Sequence, residues 1–341
     1  MIIKTSLYIL LTLIVFFFNG KISYKLHLVD VPNKRKIHLN ATAYTGGIAI
    51  SVIFLIAVIL FDSFNRSLSL ILSIGFLISI VGFIDDKYNL NTGGKLSLQV
   101  IPIFYLLVFA NLVLNNLGNY HYFELDLGTF TLPFTLLCLL FLINAFNYFD
   151  GVDGLLSFTT ISVIFILYFL ALENSNHFLV KEQNIQFFLI TLIIPIFLFI
   201  FFNFSFFGLP KLFLGDSGSL LLGFVISFLL IYFANQNFIH PILLAWSVSI
   251  FVYEFLSINI IRLKNKQKVF KAGKDHLHHI LLEKSKSVFL TNLAISLSNI
   301  ILFFIGYLSF VKINPLVCLI NFIIFFIIYF VLRNIFSVKI N

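Results

Sequence analysis

The chain alternates between long apolar runs and short polar connections. The runs extend over about 16 to 22 residues with few charged side chains, close to the roughly 20 residues that an α-helix needs to cross a bilayer. The pattern predicts an all-α, polytopic integral membrane protein with eleven transmembrane helices. Their expected positions are residues 3–18, 46–61, 67–84, 97–114, 129–146, 154–172, 187–206, 219–234, 240–261, 288–309 and 314–332. The first run lacks the small-residue cleavage pattern of a signal peptide, so we expect a retained helix.

The composition supports this fold class and excludes an ordinary soluble domain. Of the 341 residues, 60% are hydrophobic and 11% are charged, and the mean hydropathy is +1.06. An ordinary globular domain contains about 25% charged residues. Since no connection exceeds about thirty residues, we expect residues 1–341 to form a single transmembrane domain.

The basic residues predict the orientation. An odd number of spans places the termini on opposite sides, and Lys and Arg are enriched in cytoplasmic connections. With the N-terminus outside and the C-terminus in the cytoplasm, all but four of the 22 basic residues lie inside. The four outer ones are Lys4, Arg66, Lys181 and Lys312. Topology thus accounts for most of the formal charge of +8, and no nucleic acid partner is expected.

Five aspartates lie at the predicted cytoplasmic ends of spans. They are Asp85, Asp86, Asp150, Asp153 and Asp216. A carboxylate beside hydrocarbon is costly, so it usually faces a polar cavity, a charged partner or a metal. The alternative is that each one only marks the membrane edge. Five together, with neighbouring glycines, favour a functional site on the cytoplasmic face.

The segment GFIDDKYNLNTGGK contains the adjacent carboxylates of Asp85 and Asp86. Like charges this close are stable where a cation or water compensates for their repulsion. Gly93 and Gly94 are expected to form a pliable turn before Lys95.

The segment FLGDSGSLLLGF places Asp216 between Gly215 and Gly218, so a ligand could approach the backbone closely. Ser217 and Ser219 are expected to cap the helix that follows. A helix start with free backbone N–H groups is a natural phosphate site.

The segment NAFNYFDGVDGLL repeats a polar side chain every three residues. These side chains are Asn144, Asn147, Asp150 and Asp153. In a helix this spacing keeps them near one face. Gly151 and Gly154 predict a break, with the carboxylates near the start of the next span.

The last inner connection, RLKNKQKVFKAGKDHLHHILLEKSKS, is strongly basic and contains His276, His278 and His279. A zinc site is one interpretation, but no cysteine or nearby acid pair completes a tetrahedral set. A positive-inside loop with incidental histidines is another. Lysines and histidines also suit an anionic, phosphate-bearing substrate.

Together, these segments point to a phosphate chemistry. Oxygen ligands without cysteine favour Mg²⁺, with Mn²⁺ as the alternative, and Mg²⁺ binds through one or two carboxylates plus substrate phosphates. The pattern indicates metal-assisted phosphoryl transfer between a nucleotide-activated donor and a lipid. A polytopic transporter is the alternative class, but it should carry acids at mid-span and show related halves. Of the acidic residues, only Glu254 lies inside a predicted span, and no repeat is visible.

Five segments in this order resemble those of the polyprenyl-phosphate N-acetylhexosamine-1-phosphate transferases, glycosyltransferase family 4. The segments are RKIHLNATAYTGGIAI, GFIDDKYNLNTGGKLSLQ, NAFNYFDGVDGL, FLGDSGSLL and KDHLHH. The resemblance implies a multi-pass enzyme of the bacterial cytoplasmic membrane that transfers a sugar-1-phosphate from a UDP-sugar to undecaprenyl phosphate and releases UMP. The eleven-helix architecture of the family, with its N-terminus outside, agrees with the pattern above.

The HLHH spelling resembles the branch that acts on UDP-N-acetylhexosamines, with N-acetylglucosamine as the expected sugar, more than the branch that acts on UDP-MurNAc-pentapeptide. Either reaction would be the first membrane step of a cell-surface glycan pathway, such as O-antigen or teichoic acid synthesis. A homodimer is compatible with the resemblance. Direct transfer and a route through an aspartyl-phosphate both remain open.

The resemblance also implies a role for each matching residue. Asp216 resembles the principal Mg²⁺ ligand, and Asp85 and Asp86 match the pair that helps to bind the metal or to deprotonate the lipid phosphate. The implied metal ligands are Asp216, Asp86 and Asp150. The implied catalytic residues are Asp85, Asp86, Asp216 and His279.

The remaining matches are implied to bind substrate. The nucleotide pocket would be lined by Asn147, Asp150 and Asp153, with Phe213 stacking on uracil and Asn203 beside it. The donor phosphates would contact His276, His278 and His279. Lys95 matches a basic residue that follows the aspartate pair.

Three segments depart from the family pattern. Ala41, Ala43 and Tyr44 stand where proline, proline and arginine usually precede the two glycines. The segment NFSFFGLPKLFLGD is two or three residues longer than usual, and Gly273 replaces an aspartate.

Overall fold

A computed structural model describes residues 2–31, 41–174, 185–236, 239–267 and 276–338. Over these residues the fold is predominantly helical. Numbered in chain order, the helices are α1 (Ile2–Lys25), α2 (Gly46–Leu60), α3 (Arg66–Tyr88), α4 (Thr92–Phe109), α5 (Thr131–Tyr148), α6 (Leu155–Glu173), α7 (Ile185–Asn203), α8 (Gly215–Asn235), α9 (Pro241–Ser247), α10 (Ser249–Lys264), α11 (Leu277–Ser285), α12 (Val288–Lys312) and α13 (Pro315–Val338).

Four short strands form two antiparallel pairs between the helices. The first pair joins β1 (Val29–Asp30) to β2 (Thr42–Ala43). The second joins β3 (Asn116–Asn119) to β4 (Glu124–Asp126).

The predicted spans coincide with helices of the structure. Within the described ranges, nine helices are long and apolar enough to cross a membrane, and the bent pair α9–α10 would add a tenth. The run at residues 46–61 forms α2, which is apolar but has 15 residues. A multi-pass membrane protein is therefore confirmed. The count of eleven spans, the orientation of the termini and the single domain stay predictions.

The predicted span at residues 240–261 consists of two helices, α9 and α10. The chain bends by 72° between α9 and α10. Asn299 of α12 satisfies backbone groups beside the bend: its Nδ2 donates to the Ser247 carbonyl at 2.9 Å, and its Oδ1 accepts from the Ile250 N–H at 3.4 Å. An amide from a neighbouring helix can stabilise such a break where no water is present.

The described residues form two compact units. The first comprises residues 1–112 and 178–229, and the second comprises residues 113–177 and 230–341. In the first unit α2 packs against α1, α3 and α7, and α4 packs against α3.

In the second unit α12 is the central helix. It packs against α6, α9, α10, α11 and α13, while α5 packs against α10. The short helix α11, which carries two of the predicted site histidines, therefore rests on α12.

Candidate active site

Asp85 lies in the last turn of α3, and its two carboxylate oxygens have different partners. Its Oδ1 accepts from the Leu90 N–H at 2.8 Å, which closes the turn after Asn89, a residue in the left-handed conformation at φ 50°. Its Oδ2 lies 2.7 Å from Lys95 Nζ. The turn residues thereby fix the direction in which the carboxylate points.

Lys95 binds a second carboxylate at the same time. Its Nζ lies 2.6 Å from Asp216 Oδ2. The side chains of Lys95, Asp85 and Asp216 are 14%, 9% and 30% exposed, so the ammonium is largely shielded from water. Asp85 and Asp216, which lie in two different helices far apart in the sequence, therefore share one cation position.

The predicted pliable turn before Lys95 was wrong. Gly93 and Gly94 lie in the first turn of α4, and the Asn91 side chain caps that helix by accepting from the Gly94 N–H at 2.8 Å. Because Lys95 is in a capped helical turn, its side chain starts from a fixed backbone.

Asp86 caps α8 from a different helix. Its Oδ1 accepts from the Asp216 N–H at 2.9 Å and its Oδ2 accepts from the Ser217 N–H at 3.2 Å. A negative carboxylate at a helix N-terminus satisfies its unpaired N–H groups and interacts favourably with the helix dipole. Asp86 therefore positions Asp216, and its implied role as a metal ligand stays a prediction.

The predicted caps at Ser217 and Ser219 were wrong. Their hydroxyls donate backward, to the carbonyls of Leu214 at 3.4 Å and of Asp216 at 3.3 Å. The sequence could not show that a carboxylate from α3 would occupy the capping position.

Glycines allow three helices to meet at backbone distance around Asp216. A Cβ added to Gly47 of α2 would lie 2.0 Å from the Gly218 nitrogen, and one added to Gly82 of α3 would lie 2.4 Å from the Asp216 carbonyl oxygen. No real Cβ approaches backbone this closely. Gly215 has a φ of +71°, in the left-handed region that favours glycine. These glycines therefore fix the start of α8.

The loop before Asp216 is held by the segment that begins α2. The N–H groups of Gly46 and Gly47 donate to the carbonyls of Phe213 at 3.0 Å and Leu214 at 2.9 Å. The Phe213 N–H donates to the Ala43 carbonyl at 2.7 Å. The TGG segment is thus part of the site, although its own side chains are small.

Phe213 belongs to this loop, and Asn203 binds the loop from the end of α7. Asn203 is buried, and its Nδ2 donates to the Leu212 carbonyl at 2.7 Å. Phe213 is half-buried, with Lys211 Nζ 5.3 Å from its ring centroid. Asn203 therefore restrains the loop that carries Phe213. Contact of either residue with a nucleotide stays a prediction.

Tyr44, which stands where the family usually has arginine, is half-buried beside the same loop. Burial raises the pKa of its hydroxyl, and the negative charges of Asp86 and Asp30 raise the pKa further. Tyr44 is therefore a neutral hydrogen-bonding group where the family pattern supplies a positive charge.

In the second unit, the NAFNYFDGVDGLL segment breaks as predicted. Helix α5 ends at Tyr148 and α6 begins at Leu155 after Gly154, which has a φ of +76°. Asn147 therefore belongs to α5, whereas Asp150 and Asp153 lie in the connection just before α6. The Asn292 Nδ2 of α12 donates to the Asp153 carbonyl at 2.7 Å and anchors this connection.

The predicted histidines lie against the same connection. The Tyr148 ring meets the His276 ring edge-on with centroids 5.1 Å apart, and a Cβ added to Gly151 would lie 2.3 Å from His278 Nε2. Any side chain at Gly151 would displace the His278 ring. The structure thus brings two of the predicted motifs together.

The three histidines differ in their surroundings. His276 and His278 are buried with parallel rings 5.3 Å apart, and His279, which is half-buried, lies 4.4 Å from His278. Burial lowers the pKa of His278 well below its usual range, and the proximity of His279 and His276 acts in the same direction. His278 is therefore neutral. Its Nε2 meets no hydrogen-bond partner among the described residues.

Sequence reasoning missed two cations near this cluster. Arg262 is buried, with its guanidinium carbon 5.7 Å from the Tyr148 ring centroid, and Arg333 is buried in an ion pair with Glu254. From the sequence, Arg262 and Arg333 were interpreted only as basic residues that mark the cytoplasmic side. Glu254, the acid noted inside a span, is thus paired, which removes the main support for a transport pathway.

The first unit offers a partial site for a divalent cation. Asp85 and Asp216 converge on the single ammonium of Lys95. Over the described ranges, no group of three or more His, Cys, Asp or Glu side chains could hold a metal ion. Two converging carboxylates fit Mg²⁺, which takes one or two protein carboxylates and completes its shell with water and substrate phosphates.

Comparison with known proteins gives consistent matches. Residues 68–234 match the family described as glycosyl transferase family 4. That range includes the five aspartates and ends before the histidines.

Several bacterial relatives named undecaprenyl-phosphate alpha-N-acetylglucosaminyl 1-phosphate transferase are similar to this chain over most of their length. The protein of Pasteurella multocida (strain Pm70) is 31% identical over 290 residues, which cover 82% of this chain and 78% of the relative. The protein of Salmonella typhi is 30% identical over 277 residues, which cover 80% of this chain and 74% of the relative. The protein of Escherichia coli O157:H7 is 28% identical over 308 residues, which cover 88% of this chain and 81% of the relative. With this similarity and the site geometry above, the chain belongs to glycosyl transferase family 4.

Proposed function

We propose that this protein transfers N-acetylglucosamine-1-phosphate from UDP-N-acetylglucosamine to undecaprenyl phosphate and releases UMP. The name shared by its relatives supports both substrates. The observation that carries the proposal is the shared cation position of Asp85 and Asp216 beside a glycine-packed helix start. Such a position suits phosphoryl transfer, in which catalysis is mostly positioning and electrostatic stabilisation.

The proposed site is on the cytoplasmic face of a bacterial inner membrane. The asymmetry of the basic residues supports this orientation. A UDP-sugar is a soluble cytoplasmic donor, whereas the lipid acceptor stays in the bilayer, so a site at the membrane surface can reach both.

The proposed cofactor is Mg²⁺, with Mn²⁺ as a substitute. Asp216 and Asp85 would hold it, and the resemblance adds Asp86 and Asp150 as further ligands. When bound, the ion would offset the negative charge of the donor phosphates.

The proposed reaction is a displacement at phosphorus. An oxygen of the lipid phosphate forms a bond to the β-phosphorus of the donor, and the bond from that phosphorus to the bridging oxygen breaks. The bridging oxygen leaves with the electron pair as part of UMP. The second pKa of a phosphate monoester is about 6, so the acceptor is already ionised at neutral pH and needs no strong general base.

The chain's own residues would orient and stabilise these groups. Lys95, beside Asp85 and Asp216, would offset charge on the transferred phosphate. Neutral His278 would act through hydrogen bonding, with His276 and His279 beside it on the donor phosphates. Asn147, Asp150 and Asp153 would contact the nucleotide.

Purified protein is expected to release UMP from UDP-N-acetylglucosamine only when Mg²⁺ and undecaprenyl phosphate are both present. The measurement is chromatographic detection of UMP and of the lipid-linked sugar. UDP-MurNAc-pentapeptide and UDP-N-acetylgalactosamine serve as matched donors. Faster turnover of UDP-MurNAc-pentapeptide would contradict the proposed sugar. Release of UMP at the same rate without undecaprenyl phosphate would contradict the proposed acceptor.

Replacing Lys95 by methionine is expected to tighten Mn²⁺ binding by about tenfold and to slow turnover. The change leaves Asp85 and Asp216 without their shared ammonium, so their repulsion favours a divalent ion. Turnover falls because the ammonium no longer offsets phosphate charge. Electron paramagnetic resonance titration with Mn²⁺ measures the affinity.

Lys87→Met is the matched control, because Lys87 lies at the end of α3 but is exposed. It should leave Mn²⁺ affinity and turnover unchanged. Equal Mn²⁺ affinity in the wild type and in Lys95→Met would show that Lys95 and the metal do not share these carboxylates.

A further inference from the structure

Glu254 is a buried carboxylate that the proposed chemistry does not use. It lies in α10 and is 1% exposed. Its Oε2 accepts from Arg333 Nε at 2.8 Å and from the Tyr329 hydroxyl at 2.6 Å. Its Oε1 accepts from Arg333 Nη2 at 3.3 Å and from the Leu277 N–H at 2.8 Å. The carboxylate thus joins α10 to α13 and to the first residue of α11.

Stability alone does not account for this arrangement. Burying two charges is costly, and a buried ion pair can often be replaced by apolar residues of similar volume with no loss of stability. Apolar residues could also fill the contacts between α10 and α13. They could not accept the hydrogen bond from Leu277.

Helix α11 depends on that hydrogen bond for its start. Within the described part of the chain, the side chain of its N-cap residue, His276, makes no capping hydrogen bond. A helix start has unpaired N–H groups and favours a nearby negative charge. Glu254 supplies both the acceptor and the charge from a neighbouring helix.

The capping matters because of what α11 carries. His278 and His279 are the second and third residues of the helix, and His276 comes directly before it. Since Glu254 performs the capping, the His276 ring can stack on His278 and meet Tyr148. The orientation of all three rings follows from where α11 begins.

We propose that Glu254 is a positioning residue, which fixes the start of the histidine helix through the Leu277 N–H and is itself held by Arg333 and Tyr329. The effect on turnover rests on the proposed function, in which the histidines bind the donor phosphates. The last helix of the described chain, α13, thereby contributes to donor binding without touching the donor.

Two double variants separate the loss of the hydrogen bond to the Leu277 N–H from the loss of the ion pair between Glu254 and Arg333. Glu254→Gln with Arg333→Met removes the ion pair but keeps a side-chain oxygen for Leu277. Glu254→Met with Arg333→Met removes the ion pair and the acceptor together. Neither leaves a buried charge unpaired, so both are expected to remain folded.

Hydrogen exchange followed by mass spectrometry tests the cap directly. Peptides covering residues 276–285 should exchange about tenfold faster in the Met/Met variant than in the Gln/Met variant, while peptides from α12 exchange equally. The KM for UDP-N-acetylglucosamine should rise about tenfold in the Met/Met variant only, with the KM for undecaprenyl phosphate unchanged. A structural defect without a positioning role would alter the fraction of active enzyme and leave both KM values unchanged.

Equal exchange of residues 276–285 in the two double variants would overturn the proposal. Rapid exchange of the Leu277 amide in the wild type would also overturn it and requires no variant. If the wild type released no UMP, the proposed function would fail while the exchange comparison would still test the cap.

Discussion

Replacing Asp216 by asparagine is expected to lower the turnover of UDP-N-acetylglucosamine by roughly 10²–10³-fold, the range found when one preorganised electrostatic group is removed from an active site. Asparagine keeps the size of the side chain but loses its charge. It would weaken both the contact with Lys95 Nζ at 2.6 Å and the proposed metal ligand. UMP release at saturating Mg²⁺ measures the effect.

The protein should remain folded, because the Asp86 cap on α8 binds the backbone N–H groups of Asp216 and Ser217 and does not involve the replaced side chain. Asp62→Asn is the matched control. Asp62 is an exposed aspartate that pairs with Lys4, and its replacement should leave turnover unchanged. Full activity of Asp216→Asn would show that the metal and the transferred phosphate bind elsewhere.

Replacing Gly47 by alanine is expected to prevent the first unit from folding correctly. The new Cβ would lie 2.0 Å from the Gly218 nitrogen, which is a backbone atom and cannot turn aside as a flexible side chain could. The cost should exceed the roughly 1–3 kcal/mol typical of an overpacked core side chain. Size-exclusion profiles and thermal stability in detergent measure the loss.

Gly93→Ala is the control for Gly47→Ala in the same unit. The nearest atom to an added Cβ at Gly93 is Asn91 Oδ1 at 3.6 Å, an ordinary contact. Alanine also favours a helix more than glycine does, so this variant should be at least as stable as the wild type. A Gly47→Ala protein as stable as Gly93→Ala would contradict the backbone contact between α2 and α8.

The positions of the helices were predictable because the bilayer imposes a length of about 20 apolar residues on each span. The break at Gly151 and Gly154 was predictable for a different reason. Two glycines beside carboxylates oppose a continuous apolar helix, and Gly154 indeed adopts a positive φ. Both inferences use local properties of the sequence, and both agree with the structure.

The contacts made by each polar side chain depended on distant parts of the chain. The sequence showed Asp85, Asp86 and Lys95 as neighbours, but not that Lys95 would bind Asp216 or that Asp86 would cap α8. Both contacts depend on glycines that let helices meet at backbone distance. Glu254 was visible as an acid within a span, but its partner Arg333 lies 79 residues away.

Asn299 shows that membrane insertion and folding place opposite demands on one position. An amide in the middle of an apolar helix disfavours transfer of that helix into hydrocarbon. After insertion, the same amide donates to the Ser247 carbonyl and to Ser162 Oγ and accepts from Ile250. A leucine at this position would enter the bilayer more readily, yet it would remove the side chain that binds the Ser247 carbonyl and the Ile250 N–H beside the bend between α9 and α10. The most hydrophobic version of this chain would therefore not be its most stable one.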